Sequence, residues 1–189
     1  MPRFAWTILL TFSCGLALAQ GENNSLKGVP FKERIVTGGG FGLSFGSGQD
    51  FFSLSPVIGY SITAKFMAGT GITYRYTNYK YYKPSLKLND YGVNPFLRYT
   101  VYRGFFLQTE YEYLNYEFPV TITETTRKGF SSFMAGGGLI QPLGDKAALY
   151  FMALYNFSYK SSDALTYTPY TSPLVIRAGI NIGRYIGIN

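Results

Sequence analysis

The sequence between residues 34 and 186 alternates apolar and polar side chains in segment after segment, and this pattern limits the fold most. Tyrosine, phenylalanine and β-branched residues fill the segments, and turn-forming residues bound them. A period of two residues places successive side chains on opposite faces of a β-strand. The pattern predicts eight strands, near residues 34–46, 51–61, 65–78, 90–101, 105–117, 129–142, 146–158 and 173–186.

The connections between the predicted strands are alternately short and long, except that the first, near Ser47–Asp50, is also short. Outer-membrane barrels have short periplasmic turns, longer outer loops and an even number of strands. The fold class predicted is therefore all-β, an eight-stranded antiparallel up-and-down transmembrane β-barrel with both termini on the periplasmic side. The short connections are Ser61–Lys65, Val101–Gly104 and Leu143–Lys146, and the long ones are Tyr79–Asn89, Phe118–Lys128 and Tyr159–Ser172.

The first residues have the composition of an export signal. Arg3 supplies a positive end, an apolar run follows, and Ala17 and Ala19 are small residues at the positions that a signal peptidase recognises. The run is shorter than the roughly 20 residues of a membrane helix. We expect a cleavable signal peptide at residues 1–19, cut after Ala19, a short periplasmic lead-in at 20–33 and the barrel domain at 34–189.

The charges well inside the predicted strands, away from the strand ends, indicate which face is which. All lie on the less apolar face of their strand, which we assign to the lumen. A soluble lipocalin-like barrel would have the opposite arrangement, but roughly a quarter to a third of its exterior should then be charged. Five charges are too few for that, so the pattern favours a membrane barrel. These residues, called here the lumen charge cluster, are Arg75, Arg98, Glu110, Glu112 and Arg177.

The architecture and the last strand, Val175-Ile-Arg-Ala-Gly-Ile-Asn-Ile-Gly-Arg-Tyr185, resemble the small eight-stranded outer-membrane barrels, the class of the OmpA transmembrane domain, OmpX and OmpW-like proteins. In that class the chain usually ends on an outward aromatic residue, whereas Tyr185 has the parity of the lumen. The resemblance implies a monomer in a Gram-negative outer membrane. Its partners would be outer-membrane lipid, lipopolysaccharide and, during insertion, the barrel-assembly machinery, with no nucleic acid.

The composition argues against catalysis. The chain has no histidine, and its one cysteine, Cys14, leaves with the signal peptide. Enzymes among barrels of this class rely on a histidine base, so we predict a non-enzymatic protein with no catalytic residue, cofactor or metal. An eight-stranded barrel has an interior just wide enough for side chains to fill it. The lumen charge cluster is therefore predicted to be a charge-paired plug; a gate, or an acid–base pair of Glu110 and Glu112, are the alternatives.

The long connections are the remaining candidates for function. Lys80, Lys83 and Lys87 alternate with aromatic residues and could contact lipopolysaccharide phosphates. Thr121–Arg127 is rich in β-formers and could extend a hairpin whose edge adheres to a partner. The sequence thus predicts a structural or surface-interaction protein. A narrow porin or small-molecule transport barrel is the alternative, and a soluble periplasmic ligand carrier is the second alternative.

Overall fold

The computed structural model describes residues 25–121, 124–160, 169–170 and 172–183. A short 3-10 helix, Phe31–Arg34, precedes the sheet. The predicted signal peptide with its cleavage site, and Tyr185, lie outside the described residues. The strands are β1 Ile35–Phe45, β2 Gln49–Ser61, β3 Phe66–Tyr79, β4 Leu86–Tyr102, β5 Phe105–Pro119, β6 Thr125–Pro142, β7 Ala147–Asn156 and β8 Leu174–Ile182.

Each strand pairs antiparallel with the next, and β8 pairs with β1, so the sheet closes into a barrel in chain order. The predicted fold class, an eight-stranded up-and-down barrel, is confirmed. We call the end that carries the β1–β2, β3–β4, β5–β6 and β7–β8 connections the loop end, and the opposite end the turn end.

The closure between β1 and β8 is short. It consists of the pairs Thr37 with Ile182, Gly38 with Asn181 and Gly39 with Ile180. The strands remain close just beyond these pairs, because a Cβ atom built on Gly40 would lie 2.9 Å from the Ala178 carbonyl oxygen. Nearer the loop end, Phe41–Phe45 of β1 has no register pair with the described residues of β8, and we call this stretch the unpaired seam.

Two hairpins are longer than the alternation predicted. β4 begins at Leu86, not near residue 90, and β6 begins at Thr125, not near residue 129. Pairing continues to Tyr79 with Leu86 on β3 and β4, and to Pro119 with Thr125 on β5 and β6. In the β4 extension Leu86 and Leu88 alternate with Lys87 and Asn89, but the leucines are buried inside, the reverse of the apolar-out pattern in the rest of the strand. The β6 extension, Thr125–Lys128, has no apolar residue that would alternate. Much of two predicted long loops is therefore regular hairpin.

The side-chain parity separates an outer from an inner face. On β5, Phe105, Leu107 and Tyr111 are exposed, whereas Gln108 and Glu110 between them are buried. Outward charges within the strands occur only toward the loop end, at Asp50, Lys87, Glu117 and Arg127. Between them and the turn end runs an apolar belt, whose large exposed side chains include Phe41, Leu43, Leu54, Ile58, Ile72, Val93, Leu97, Phe105, Leu107, Tyr111, Phe133, Phe151, Ile176 and Ile180.

No helix in the described ranges is long and apolar enough to cross a lipid bilayer.

Candidate functional site in the barrel lumen

An ion-paired centre occupies the lumen where β5 and β8 face each other. Glu110 and Glu112 are inward residues of β5, and each is buried. Arg177 of β8 places Nη1 at 2.6 Å from Glu110 Oε1 and Nη2 at 3.1 Å from Glu112 Oε2. The two nitrogens of one planar guanidinium thus each bind a different carboxylate. Charge-assisted hydrogen bonds of this kind are stronger than neutral ones.

The remaining carboxylate oxygens of this centre also accept hydrogen bonds. Gln108 Nε2 donates to Glu110 Oε2 over 3.0 Å, and the Tyr170 hydroxyl donates to Glu112 Oε1. All four carboxylate oxygens therefore have a donor. The contacts hold both glutamates in place and leave no carboxylate oxygen of either one without a partner inside the barrel.

Arg98 joins the centre indirectly. The register between β4 and β5 sets Arg98 opposite Gln108, while Glu110 lies opposite Phe96, one inward pair away. Arg98 Nε donates to Gln108 Oε1 over 2.9 Å, so Gln108 links Arg98 to Glu110. The Arg98 guanidinium also lies 4.2 Å from the centroid of the Phe106 ring. A cation over an aromatic face is stabilised by the negative potential of that face.

Arg75 lies nearer the loop end and belongs to a different set of contacts. Its guanidinium lies 5.7 Å from the centroid of the Tyr170 ring. Within the described residues Arg75 forms no ion pair, so the sequence-based expectation that it approaches Glu112 is met only through Tyr170, which contacts both. The neighbouring inward residue on β4 is Asp90, paired in register with Arg75.

Two members of this site, Asp90 and Tyr170, were not predicted from the sequence. Asp90 is buried, and its Oδ1 accepts a hydrogen bond from the Glu117 backbone N–H over 3.0 Å. It is the first residue of the predicted strand 90–101 and has the same parity as Arg98, but only charges well inside the predicted strands were assigned to the lumen. Tyr170 belongs to the β7–β8 connection, where no strand parity exists to indicate its direction. With Asp90 included, three arginines (Arg75, Arg98, Arg177) balance three carboxylates (Asp90, Glu110, Glu112).

The lumen is packed on one side only, whereas the sequence predicted a filled interior. Large side chains, including Phe106, Met134 and Leu154, fill the side formed by β5, β6 and β7. On the opposite side, short inward residues of β1, β2 and β3 leave a cavity of about 340 Å³. Its lining includes Gly40, Ser53, Ser55, Gly59 and Thr73 together with the whole lumen charge cluster, Arg75, Arg98, Glu110, Glu112 and Arg177.

The lysines of the β3–β4 connection are not equivalent. Lys80 Nζ lies 2.7 Å from Asp50 Oδ1 and donates to the Gly46 carbonyl over 3.1 Å. The hydrogen bond from Lys80 lowers the pKa of Asp50 below its ordinary value. Lys80 therefore ties the first hairpin to the second, while Lys83 and Lys87 are exposed at the loop end.

The β5–β6 hairpin carries its own polar cluster beyond the apolar belt. Glu117 Oε2 lies 2.9 Å from Arg127 Nη2 and accepts a hydrogen bond from the Asn89 backbone N–H over 2.7 Å. Thr125 donates to the other carboxylate oxygen over 2.8 Å. This hairpin is thereby joined to β4. On its other side, residues 125–133 of β6 have no paired partner on β7 within the described residues.

Among the described residues, no three or more histidine, cysteine, aspartate or glutamate side chains are grouped so that they could hold a metal ion.

No protein-family model matches the chain, and no curated protein matches it. Among solved structures, the chain is similar to the N-terminal β-barrel domain of Pseudomonas aeruginosa OprF, with 12% sequence identity and a TM-score of 0.44. The alignment covers 79% of this chain and 97% of that chain.

Proposed function

We propose that this chain is a non-enzymatic outer-membrane barrel that acts as a structural or surface-interaction protein through its loop end. The observation that carries the proposal is the apolar belt. Soluble monomers rarely expose a contiguous apolar patch larger than a few hundred Å². Here large apolar side chains surround the barrel, and the outward charges of the strands lie beyond the belt.

The belt also argues against a soluble periplasmic carrier. Such a carrier needs charged residues outside and an apolar cavity inside. In this barrel the buried Glu110, Glu112 and Arg98 are inside, and exposed residues such as Ile72 and Ile176 are outside. The arrangement is the reverse of the one that a soluble carrier requires.

The contacts of the inward glutamates support a non-enzymatic role. Arg177, Gln108 and Tyr170 engage all the oxygens of Glu110 and Glu112. A neighbouring positive charge favours the ionised form of a carboxylate, whereas a general acid needs the protonated form. The chain has no histidine that could act as a base in place of these groups.

The loop end offers two features that suit a partner. Lys83 and Lys87 are exposed and suit the phosphates of lipopolysaccharide, while Lys80 contributes by positioning the hairpin through Asp50. Among the described residues no strand pairs with the edge of β6 between Thr125 and Ser132. Such an edge presents free backbone donors and acceptors, so it can accept an extended segment.

Fractionation and gel mobility test this function. We expect the protein in the outer-membrane fraction, running faster on a gel before boiling than after, because a closed barrel resists unfolding by detergent. A Gly138→Pro variant, which removes a ladder donor, is the control that should lose the fast band. Recovery from the periplasm without detergent, or equal mobility before and after boiling, would contradict the proposal.

A narrow porin or small-molecule transport barrel is a second candidate, because the lumen contains a cavity of about 340 Å³. Conductance of the refolded protein in a planar bilayer separates the two candidates. The surface-interaction proposal predicts no steady openings. Steady openings that Arg98→Ala abolishes, or that Glu110→Gln alters, would favour the porin.

A further inference from the structure

We propose that the lumen cavity is a binding site for a small oxyanion, a carboxylate or phosphate group held by Arg75 and the hydroxyl groups beside it. This site goes beyond the proposed surface function and does not depend on it. The ion-paired centre engages the carboxylate acceptors of the lumen but not the donors of Arg75.

The acceptors that line the cavity are largely engaged. The four oxygens of Glu110 and Glu112 each accept a hydrogen bond within the barrel. Asp90, the inward carboxylate next to Arg75, accepts from the Glu117 backbone N–H. A ligand that offers donors, such as a cation, would have to displace these existing bonds.

The donors of Arg75 are in the opposite situation. Arg75 acts electrostatically on Asp90, its register partner, and its guanidinium carbon lies 5.7 Å from the centroid of the Tyr170 ring. Within the described residues it forms no ion pair at contact distance and its N–H groups donate no hydrogen bond, so they remain available to the two oxygens of a carboxylate or phosphate. Arg75 lines the cavity, so these donors border an open volume.

Hydroxyl groups surround Arg75 on the same wall. The register of β2 and β3 pairs Ser53 directly with Arg75. One inward position farther toward the turn end, Ser55 Oγ and Thr73 Oγ1 lie 3.4 Å apart. On β1, Gly42 and Gly40 are the register partners of Ser53 and Ser55, and their lack of a side chain leaves the volume in front of the hydroxyls.

The size and the opening of the cavity fit a small anionic group. A volume of about 340 Å³ exceeds that of phosphate or acetate and is smaller than most drug-sized pockets. The lining also includes Phe41, Ile176 and Ala178, outward residues of β1 and β8, so the cavity extends toward the outer surface at the seam between these strands. The oxyanion could therefore be a free ion or the head group of an amphiphile whose tail leaves the cavity between β1 and β8.

Titration calorimetry of the refolded chain in a neutral detergent tests the site with three probes: inorganic phosphate, acetate and decanoate. We expect saturable binding of at least one probe, and a loss of affinity of about 10- to 100-fold in Arg75→Gln, because a charge-assisted hydrogen bond is removed. Ser55→Leu should abolish binding by filling the cavity. Decanoate binding more tightly than acetate identifies an amphiphile; equal affinities identify a free oxyanion.

Matched controls keep the test independent of folding. Thr109→Leu adds the same side chain on the outer face of β5, and Arg103→Gln removes an arginine from the β4–β5 turn. Both should bind as the unaltered chain does, and heat-dependent gel mobility should show that all variants are folded. Absence of saturable binding of any probe, or an unchanged affinity in folded Arg75→Gln, would overturn the proposal.

Discussion

At the scale of single residues, the lumen is organised by how each charge is compensated. Arg177 binds both Glu110 and Glu112, and Gln108 extends the network to Arg98. The pair of Glu117 and Arg127 at the loop end has similar distances but is more exposed, with 36% of the Arg127 side chain and 13% of the Glu117 side chain accessible. Because water screens an exposed pair and barely reaches a buried one, the two pairs should differ greatly in their contribution to stability.

Replacing Arg177 by methionine should strongly destabilise the barrel. The change leaves Glu110 and Glu112 buried without their cation, and removing one partner of a buried pair costs about 3–5 kcal/mol. The matched control, Arg127→Met, breaks an exposed pair and should cost about 0–1 kcal/mol. Urea unfolding of the refolded variants, followed by circular dichroism, measures both free energies.

A rescue experiment separates charge from packing at this position. Adding Glu110→Gln and Glu112→Gln to Arg177→Met removes the uncompensated charges and should restore part of the lost stability. If Arg177→Met and Arg127→Met were equally stable, the ion-paired centre would not have the role assigned to it.

At the scale of strands, the alternation predicted the inner and outer faces better than it predicted the ends. Placing a charged side chain or a large apolar side chain on the wrong face of a strand costs free energy. The face of each residue can therefore be read from the alternation in the sequence. The extension Leu86–Asn89 was missed because its buried leucines have the opposite parity to the outward apolar residues of the strand, and Thr125–Lys128 was missed because it has no apolar alternation. The open side of the lumen was missed because the filled interior was predicted from the width of an eight-stranded barrel alone, whereas the inward residues of β1 and β2 include glycines and serines that are too short to fill it.

The close approach of β6 to its neighbours depends on Gly138. A Cβ atom built at this position would overlap the Phe151 carbonyl oxygen and lie 2.6 Å from the Phe106 ring. Gly138→Ala should therefore destabilise the barrel by about 1–3 kcal/mol, the usual cost of overpacking. Gly46→Ala, whose Cβ would meet its nearest atom at an ordinary 3.4 Å, is the control and should change stability by less than about 0.5 kcal/mol.

Urea unfolding midpoints of the two glycine variants give this comparison directly. A Gly138→Ala variant as stable as Gly46→Ala would mean that β6 and β7 can separate without loss, contrary to their continuous pairing from Met134 to Pro142.

At the scale of the whole molecule, the barrel has an apolar exterior, a charge-balanced interior and polar hairpins at one end. The apolar exterior supports placement in lipid, and the polar hairpins support a surface that faces outward. Inside, beside the balanced charges, the barrel leaves a cavity of about 340 Å³. Each property follows from the closure of eight alternating strands, which turns one face of every strand inward. The central claim is that the outer face of this closed sheet contacts lipid.

Fluorescence of two neighbouring tryptophan variants tests that claim most directly. The chain has one tryptophan, Trp6, in the expected signal peptide, so a refolded chain of residues 20–189 has none. Phe151→Trp places the probe on the belt, where Phe151 is 56% exposed, and Tyr150→Trp places it in the lumen, where Tyr150 is 5% exposed. In vesicles with brominated acyl chains, we expect strong quenching for Phe151→Trp and little for Tyr150→Trp. Quenching of Tyr150→Trp alone, or of neither variant, would contradict a lipid-facing exterior.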